Sequence, residues 1–296
     1  MNPGEASRTA EFNALFRALE SSRRPRRRRL FEDPLAPGFL GRLQYAYVFS
    51  KLPLFGRLLP WYIDWRWPGV RPSAIGRTCW IDEQLRSALG DGIVQVVMLG
   101  AGYDCRAYRM AGMERSRVFE LDHPSTLQMK VKRLQHLLRA LPENVAFVPV
   151  DFDRQDFETL LTASGLDRTI SSFFLWEGVI HYLTAEAVDR TVRSIASLSA
   201  PGSRLVFTYI HRGLLDGSVD FGDLKRVPGT LKDAGETWTF GFYPEHLARY
   251  LAERGFALVT DIGSTEYRKQ YLGVSGPHLQ GFEFYRAALA EARGSP

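Results

Sequence analysis

The stretch VVMLGAGYDCRAYRM, residues 96–110, constrains this chain more than any other. It opens on an unbroken apolar run, the pattern of a strand covered by helices on both faces of a parallel sheet. It then turns on Gly100-Ala101-Gly102 and enters a polar, arginine-bearing segment able to start a helix. Two glycines at the carboxyl end of such a strand let the backbone turn tightly and approach a ligand closely. The next strand-like run ends at Asp122, about twenty residues on, where folds of this type set an acid against a ribose. Strand, glycine turn and distant acid together announce a nucleoside site. They leave the nucleoside open.

The remaining chain supplies the alternation such a site needs. Phe12, Leu15, Phe16 and Leu19 recur at helical spacing and predict a helix over 10–20, and a second helix is read over 74–89. Strands follow at 94–99, 118–121, 146–150, 172–176, 204–210, 256–261 and 281–287. Helices are placed from about 105 and over 125–140, 184–198 and 244–254. The expected fold class is α/β: a Rossmann-like, seven-stranded, mostly parallel sheet with helices on both faces and an N-terminal helical cap. Residues 1–90 form the cap, integral to the fold; residues 91–296 form the core, with a substrate-side insertion at about 211–243. Within the cap, Tyr45, Tyr47, Phe49, Phe55, Trp61, Tyr62, Trp65 and Trp67 crowd a proline-interrupted stretch. They pack the cap onto the sheet, form a lid over an aromatic or greasy acceptor, or do both.

At 296 residues and 45% hydrophobic content, the chain can bury a full core. Cys79 and Cys105 form no metal-like pair, so neither a disulfide framework nor a zinc site is expected. No apolar run has membrane-spanning length and the amino terminus lacks a signal-peptide core, so a cytoplasmic setting without a membrane partner is expected. The formal charge of +5 gathers partly in Arg23, Arg24 and Arg26 to Arg29, beside Glu32 and Asp33. No nucleic-acid recognition module accompanies that run, and it reads as a solvated face.

The third glycine position decides between nucleosides. A dinucleotide fingerprint places a small residue there against a pyrophosphate; here Cys105 stands there, preceded by the acidic Asp104. No G-K-[ST] follows, which excludes a P-loop. An acid opposes a pyrophosphate but tolerates an ammonium and a sulfonium, so S-adenosyl-L-methionine is favoured over NAD. Asp151 and Glu177 close the third and fourth strands, and the carboxyl ends of adjacent parallel strands line the ligand crevice. Each acid alone also reads as a helix cap. Three behind one glycine turn point to a ligand.

The segments VVMLGAGYDCRAYR, VFELDHP, FVPVDF, FFLWEGVIHYLT and LSAPGSRLVFTY resemble the leucine carboxyl methyltransferase-like family of class I S-adenosylmethionine-dependent methyltransferases, and most of all its bacterial O-methyltransferase branch. LFEDPLAPGFL, IGRTCWIDEQLRSAL and ETWTFGFYPEHLARYLAERGF extend the resemblance over nearly the whole chain, with a gap at about 43–70. The resemblance implies that Arg77 grips the cofactor carboxylate, a task suited to a guanidinium fork. It further implies that Gly100, Ala101 and Gly102 approach the methionine part, that Asp122 accepts from the ribose, that Asp151 and Phe152 face the adenine, and that Glu177 lies beside the amino or sulfonium end. Where the family commonly writes D-T-R, this chain has Asp104-Cys105-Arg106, and His181 stands where relatives carry an apolar residue.

A methyltransferase must align donor and acceptor and control the acceptor's proton. A carboxylate acceptor is already ionised, whereas a hydroxyl does better with a base, for which His is the usual choice. His181, Tyr182 and Tyr209 are the catalytic candidates, with His211 nearby; no metal is expected. The expected activity is O-methylation of a small, apolar or aromatic acceptor on a carboxyl or hydroxyl group, in secondary metabolism. Alternatives are methylation of a protein or peptide C-terminal carboxyl, and cofactor binding for a non-methylating reaction. An NAD dehydrogenase is the more distant reading.

Overall fold

A computed structural model of the chain describes residues 8–23, 25–52, 55, 56, 58–152, 155, 157–221, 238–273 and 281–293. The cap begins with α1 (Arg8–Ser21), α2 (Leu43–Ser50) and α3 (Leu58–Arg66), joined by short 3-10 turns, and leads into α4 (Val70–Gly90). The core then runs β1 (Gln95–Leu99), α5 (Arg106–Arg109), β2 (Arg117–Asp122), α6 (Pro124–Leu137), β3 (Val145–Pro149), α7 (Phe157–Ala163), β4 (Ser172–Trp176) and α8 (Ala185–Leu198). It continues through β5 (Arg204–Ile210), α9 (Gly213–Asp216), α10 (Pro244–Ala252), β6 (Phe256–Gly263), α11 (Ser264–Leu272) and β7 (Tyr285–Ala292).

These strands make one seven-stranded sheet in the order β3-β2-β1-β4-β5-β7-β6. The first five are parallel, and β7 runs antiparallel to both β5 and β6. Side chains alternate across it. Val97, Leu99, Phe119, Phe174 and Trp176 face the layer of α7, α8 and α10. Val96, Met98, Val118, Phe173 and Leu175 face α4 and Tyr267 of α11. Burying a side chain of this size contributes roughly 1.5–3 kcal/mol, which explains why β1 and β4 are apolar after their first residues, Gln95 and Ser172, which bond to each other, and are buried at every position. A third cluster joins Leu15, Phe16 and Leu19 of α1 to Phe39, Tyr103, Cys105 and Leu134, so the cap packs directly over the glycine turn.

The helix expected from about 105 is one short turn, because Met110 leaves it in extended conformation. The final strand begins at Tyr285 rather than at 281: Phe282 sits at φ +63, in the left-handed region, where a ladder cannot run. Three helices of the core, α7, α9 and α11, lie where the sequence pattern predicts none. Of the insertion expected at 211–243, residues 222–237 lie outside the described residues.

Candidate active site

Strand register sets the site. Leu99 pairs with Leu121 and Met98 with Leu175, so Gly100 comes level with Asp122 on one side and with Glu177 on the other. Asp122 pairs with Pro149, which puts Asp151 just beyond the end of β3. The carboxyl ends of four neighbouring strands therefore present Asp151, Asp122, the glycine turn and Glu177 along one edge. Gly100 has φ +68, and a Cβ there would lie 2.3 Å from Val179 Cγ2, so only glycine fits this turn. Ala101 N–H donates to Leu121 O at 2.9 Å, fastening the turn to β2.

Asp122 takes the Gly102 N–H on Oδ2 at 2.6 Å and the His123 N–H on Oδ1 at 2.7 Å. Burial pushes its carboxyl above the ordinary range, against the pull of those two amides. Asp151 is half-buried, its N–H donating to Gln155 Oε1 at 2.9 Å, and Phe152 packs edge-on against Phe157 at 5.9 Å. Strand order and register place Asp122, Asp151 and Phe152 at the same edge of the sheet.

On the other side of the turn lies a chain of buried charges. Arg77 Nε donates to Glu177 Oε1 at 2.7 Å, Arg77 Nη2 reaches Asn13 Oδ1 of α1 at 3.2 Å, and its guanidinium lies over the Tyr285 ring at 4.7 Å. Arg106 Nη1 donates to Glu177 Oε2 at 2.8 Å and its Nε to Asp82 Oδ1 at 2.7 Å. Arg109 joins Asp82 at 2.7 Å to Asp33 at 3.7 Å, and Arg17 of α1 closes on Asp33 at 2.8 Å. Burial raises the Glu177 carboxyl, but Arg106 and Arg77 pull it below its ordinary value, so it stays ionised.

Asp104 corrects one step of the sequence argument. Burial pushes its carboxyl up, yet Arg106, Arg17 and Lys130 draw it down to about 2, and Arg106 pairs with it directly through both backbone N–H and guanidinium. Its charge is spent within the protein. It therefore does not repel a pyrophosphate as a lone acid would, and the choice of nucleoside rests on the other groups.

The acceptor-side candidates divide. His181 lies in a 3-10 turn just after β4, 2% exposed, with its ring 4.2 Å from Tyr182, 5.2 Å from Trp238 and 5.8 Å from Tyr285. Its carbonyl accepts the Thr239 N–H at 2.8 Å, and its Nδ1 is buried without a hydrogen-bond partner among the described residues. Burial, with the Arg77 charge nearby, holds the imidazole down at about 3. Tyr182 is half-buried beside it. Tyr209 is not brought to this group: it points to the opposite face of β5, where its hydroxyl donates to Asp261 at 2.8 Å and accepts from Arg286 at 3.0 Å. Burial and Asp261 push that phenol far above its ordinary range, so its proton is unavailable. His211 packs against Phe221 and Tyr243 and accepts the Gly213 N–H at 3.0 Å on Nδ1. Sequence reasoning missed Asn13, Asp82 and Tyr285. Arg106 and Asp82 were both within quoted motifs, which was the available signal; Asn13 and Tyr285 lie far away in sequence and carried none.

The donor set suits an amino-acid nucleoside. A carboxylate and an ammonium need an arginine and an acid side by side, and Arg77 with Glu177 provides them. A ribose diol needs a hydrogen-bond acceptor at the end of β2, and the Asp122 carboxyl stands there.

Comparison with known proteins agrees. A family model described as leucine carboxyl methyltransferase matches residues 10–196. The chain is 33% identical over 87% of its length to a protein of Streptomyces coelicolor provisionally named an S-adenosyl-L-methionine-dependent methyltransferase, covering 89% of that protein. It is 36% identical over 73% of its length to a similarly named protein of Frankia alni, covering 73% of it. Among solved structures, a DUF574 family protein of Streptomyces avermitilis superposes with a TM-score of 0.60 at 14% identity, over 97% of this chain and 98% of that one. A provisionally assigned methyltransferase of Thermobifida fusca does so at 0.56 and 22% identity, over 80% and 88%. At these identities the two structures speak for the fold.

Proposed function

The chain belongs to the leucine carboxyl methyltransferase family and is an S-adenosyl-L-methionine-dependent methyltransferase, and from that premise we propose that it methylates a carboxyl oxygen of a small molecule. When bound, the cofactor supplies a methyl group already attached to its sulfonium leaving group. Arg77 holds the cofactor carboxylate, Glu177 accepts from its ammonium end, and Asp122 accepts from the ribose hydroxyls. Asp151 and Phe152 border the adenine, and the Gly100-Ala101-Gly102 backbone passes close to the methionine part. Arg106 keeps Glu177 ionised and in place.

The observation that favours a carboxyl over a hydroxyl acceptor is the state of His181. An imidazole held at about 3 is a poor base: taking a proton from a phenol would run uphill by roughly 10 kcal/mol. A carboxylate needs no base. It needs orientation at near-attack distance, which neutral His181 supplies as a hydrogen-bond donor, with Tyr182 beside it.

Two measurements test this. Calorimetry with S-adenosylmethionine and its demethylated product should show binding, weakened roughly tenfold or more by Arg77→Ala, which removes a charge-assisted hydrogen-bond donor. Labelled methyl transferred to a panel of aromatic and aliphatic acids and phenols should be released as methanol by mild alkali, as esters are. Alkali-stable product on phenols only would sink the carboxyl assignment, and transfer only to peptide C-termini would replace the small molecule by a peptide.

A further inference from the structure

We propose that the outer face of α2 and α3 docks this enzyme on the surface of an anionic lipid membrane. Tyr45 is 82% exposed, Trp61 62% and Trp65 61%, with Phe49, Leu52 and Leu58 also about half exposed. The two tryptophans stack on each other at 6.3 Å, holding their rings outward as a rigid pair. Isolated exposed apolar residues need no explanation, but six large apolar side chains exposed together along two consecutive helices and the link between them do. No other exposed segment among the described residues gathers such a set.

Charge selects the occupant. Between residues 42 and 68 the sequence has Arg42, Lys51, Arg57 and Arg66 against a single acid, Asp64. Asp64 is buried and held by Arg71, so the face offers no free carboxylate among the described residues. Beside it opens a cavity of about 990 Å³ whose walls include Arg23, Arg28, Arg29 and Lys51 together with Asp33, Leu52 and Pro60. Arg23 pairs with Glu20, Arg29 with Glu32 and Asp33 with Arg17, so Arg28 and Lys51 carry the excess positive charge there. The basic run that the methyl-transfer site leaves unused thus lines a cationic recess bordering an aromatic face. Aromatic side chains of this type settle at the headgroup level of a bilayer, and neighbouring arginines and lysines add attraction for anionic lipid. A second copy of the chain fits less well, because a two-fold contact would set these cationic rims against each other. No helix among the described residues is long and apolar enough to cross a membrane, and surface docking requires none.

The test is co-sedimentation of the full chain with vesicles, of phosphatidylcholine alone or with about one third phosphatidylglycerol. Binding is expected on the anionic vesicles only, at about 0.1 M salt, with release at about 0.5 M as screening shortens the reach of the charges. Trp61→Ser/Trp65→Ser should lower the partition by about tenfold or more, and Arg28→Glu/Lys51→Glu should abolish it. Both variants should still bind S-adenosylmethionine like the parent, which separates lost docking from lost folding. No partition by the parent chain, or equal partition on neutral vesicles, would overturn the proposal. So would a dimer, seen by light scattering, that Trp61→Ser/Trp65→Ser dissolves.

Discussion

At the scale of the residue, His181 carries a cost that depends on pH. Its imidazole is held at about 3 when folded, against an ordinary value of 6.5. Below 6.5 the unfolded chain binds a proton that the folded chain refuses until about pH 3. Stability must therefore fall as pH drops through that window, with a slope approaching 1.4 kcal/mol per pH unit, roughly, from this group. His181→Gln should flatten the fall relative to the parent, measured by denaturant unfolding at pH 7, 6, 5 and 4; equal slopes would mean that His181 titrates normally. Above pH 6.5 the same group is neutral in both states, so it should impose no inflection on kcat between about 6 and 9. Legibility divides at this scale too. Asp122 and Glu177 are legible as crevice-facing acids because each follows a strand-like run that sets its place at the sheet's carboxyl edge, and Arg77 because it lies inside a local motif on α4. Tyr285 and Asn13 reach Arg77 only through tertiary packing, and Tyr209 was misplaced because alternation along β5 sends it to the other face.

At the scale of the element, α6 is tied to the sheet by a buried charge. Lys130 and Glu120 of β2 are both fully buried, with Nζ 2.8 Å from Oε2, and Lys130 also donates to Ala101 O at 3.3 Å. The ion pair is close but off hydrogen-bond geometry, and burial pushes the Glu120 carboxyl up despite the lysine. Lys130→Met should cost about 3–5 kcal/mol by leaving a buried acid alone, and Lys130→Met/Glu120→Leu should recover most of it. Unfolding by denaturant measures both; if the double variant is no more stable than the single, the pair is not the cause. The double variant should still bind cofactor less well, because the glycine turn loses its anchor. Elements whose sequence is decided by burial were legible: β4 and β5 were read to their observed ends, and the helix read at 184–198 begins after Thr184, whose hydroxyl accepts the Ala187 N–H at 3.2 Å. α11 was not, because STEYRKQYL is polar and holds its place mainly through Tyr267 and Arg268.

At the scale of the molecule, the cap and core share their interior. The cap cluster closes on Tyr103 and Cys105 of the glycine turn, and the chain of charges from Arg17 to Glu177 crosses the same boundary. Neither part keeps its contacts without the other, so calorimetry should show one unfolding transition. S-adenosylmethionine at about a hundred times its Kd should add about 2.7 kcal/mol to that transition. Two separate transitions, only one of them moved by cofactor, would show an autonomous cap. The sheet's edge carries a different kind of consequence. β7 follows β6 in sequence yet lies between β5 and β6, so during synthesis β6 leaves the ribosome before the strand that joins it to the rest. Until Tyr285–Ala292 has emerged, β5 presents an open edge and β6 with α10 has nothing to pair with. Order of assembly thus runs against order of translation at this edge, and the nascent chain is at its most adhesive just before its seventh strand arrives.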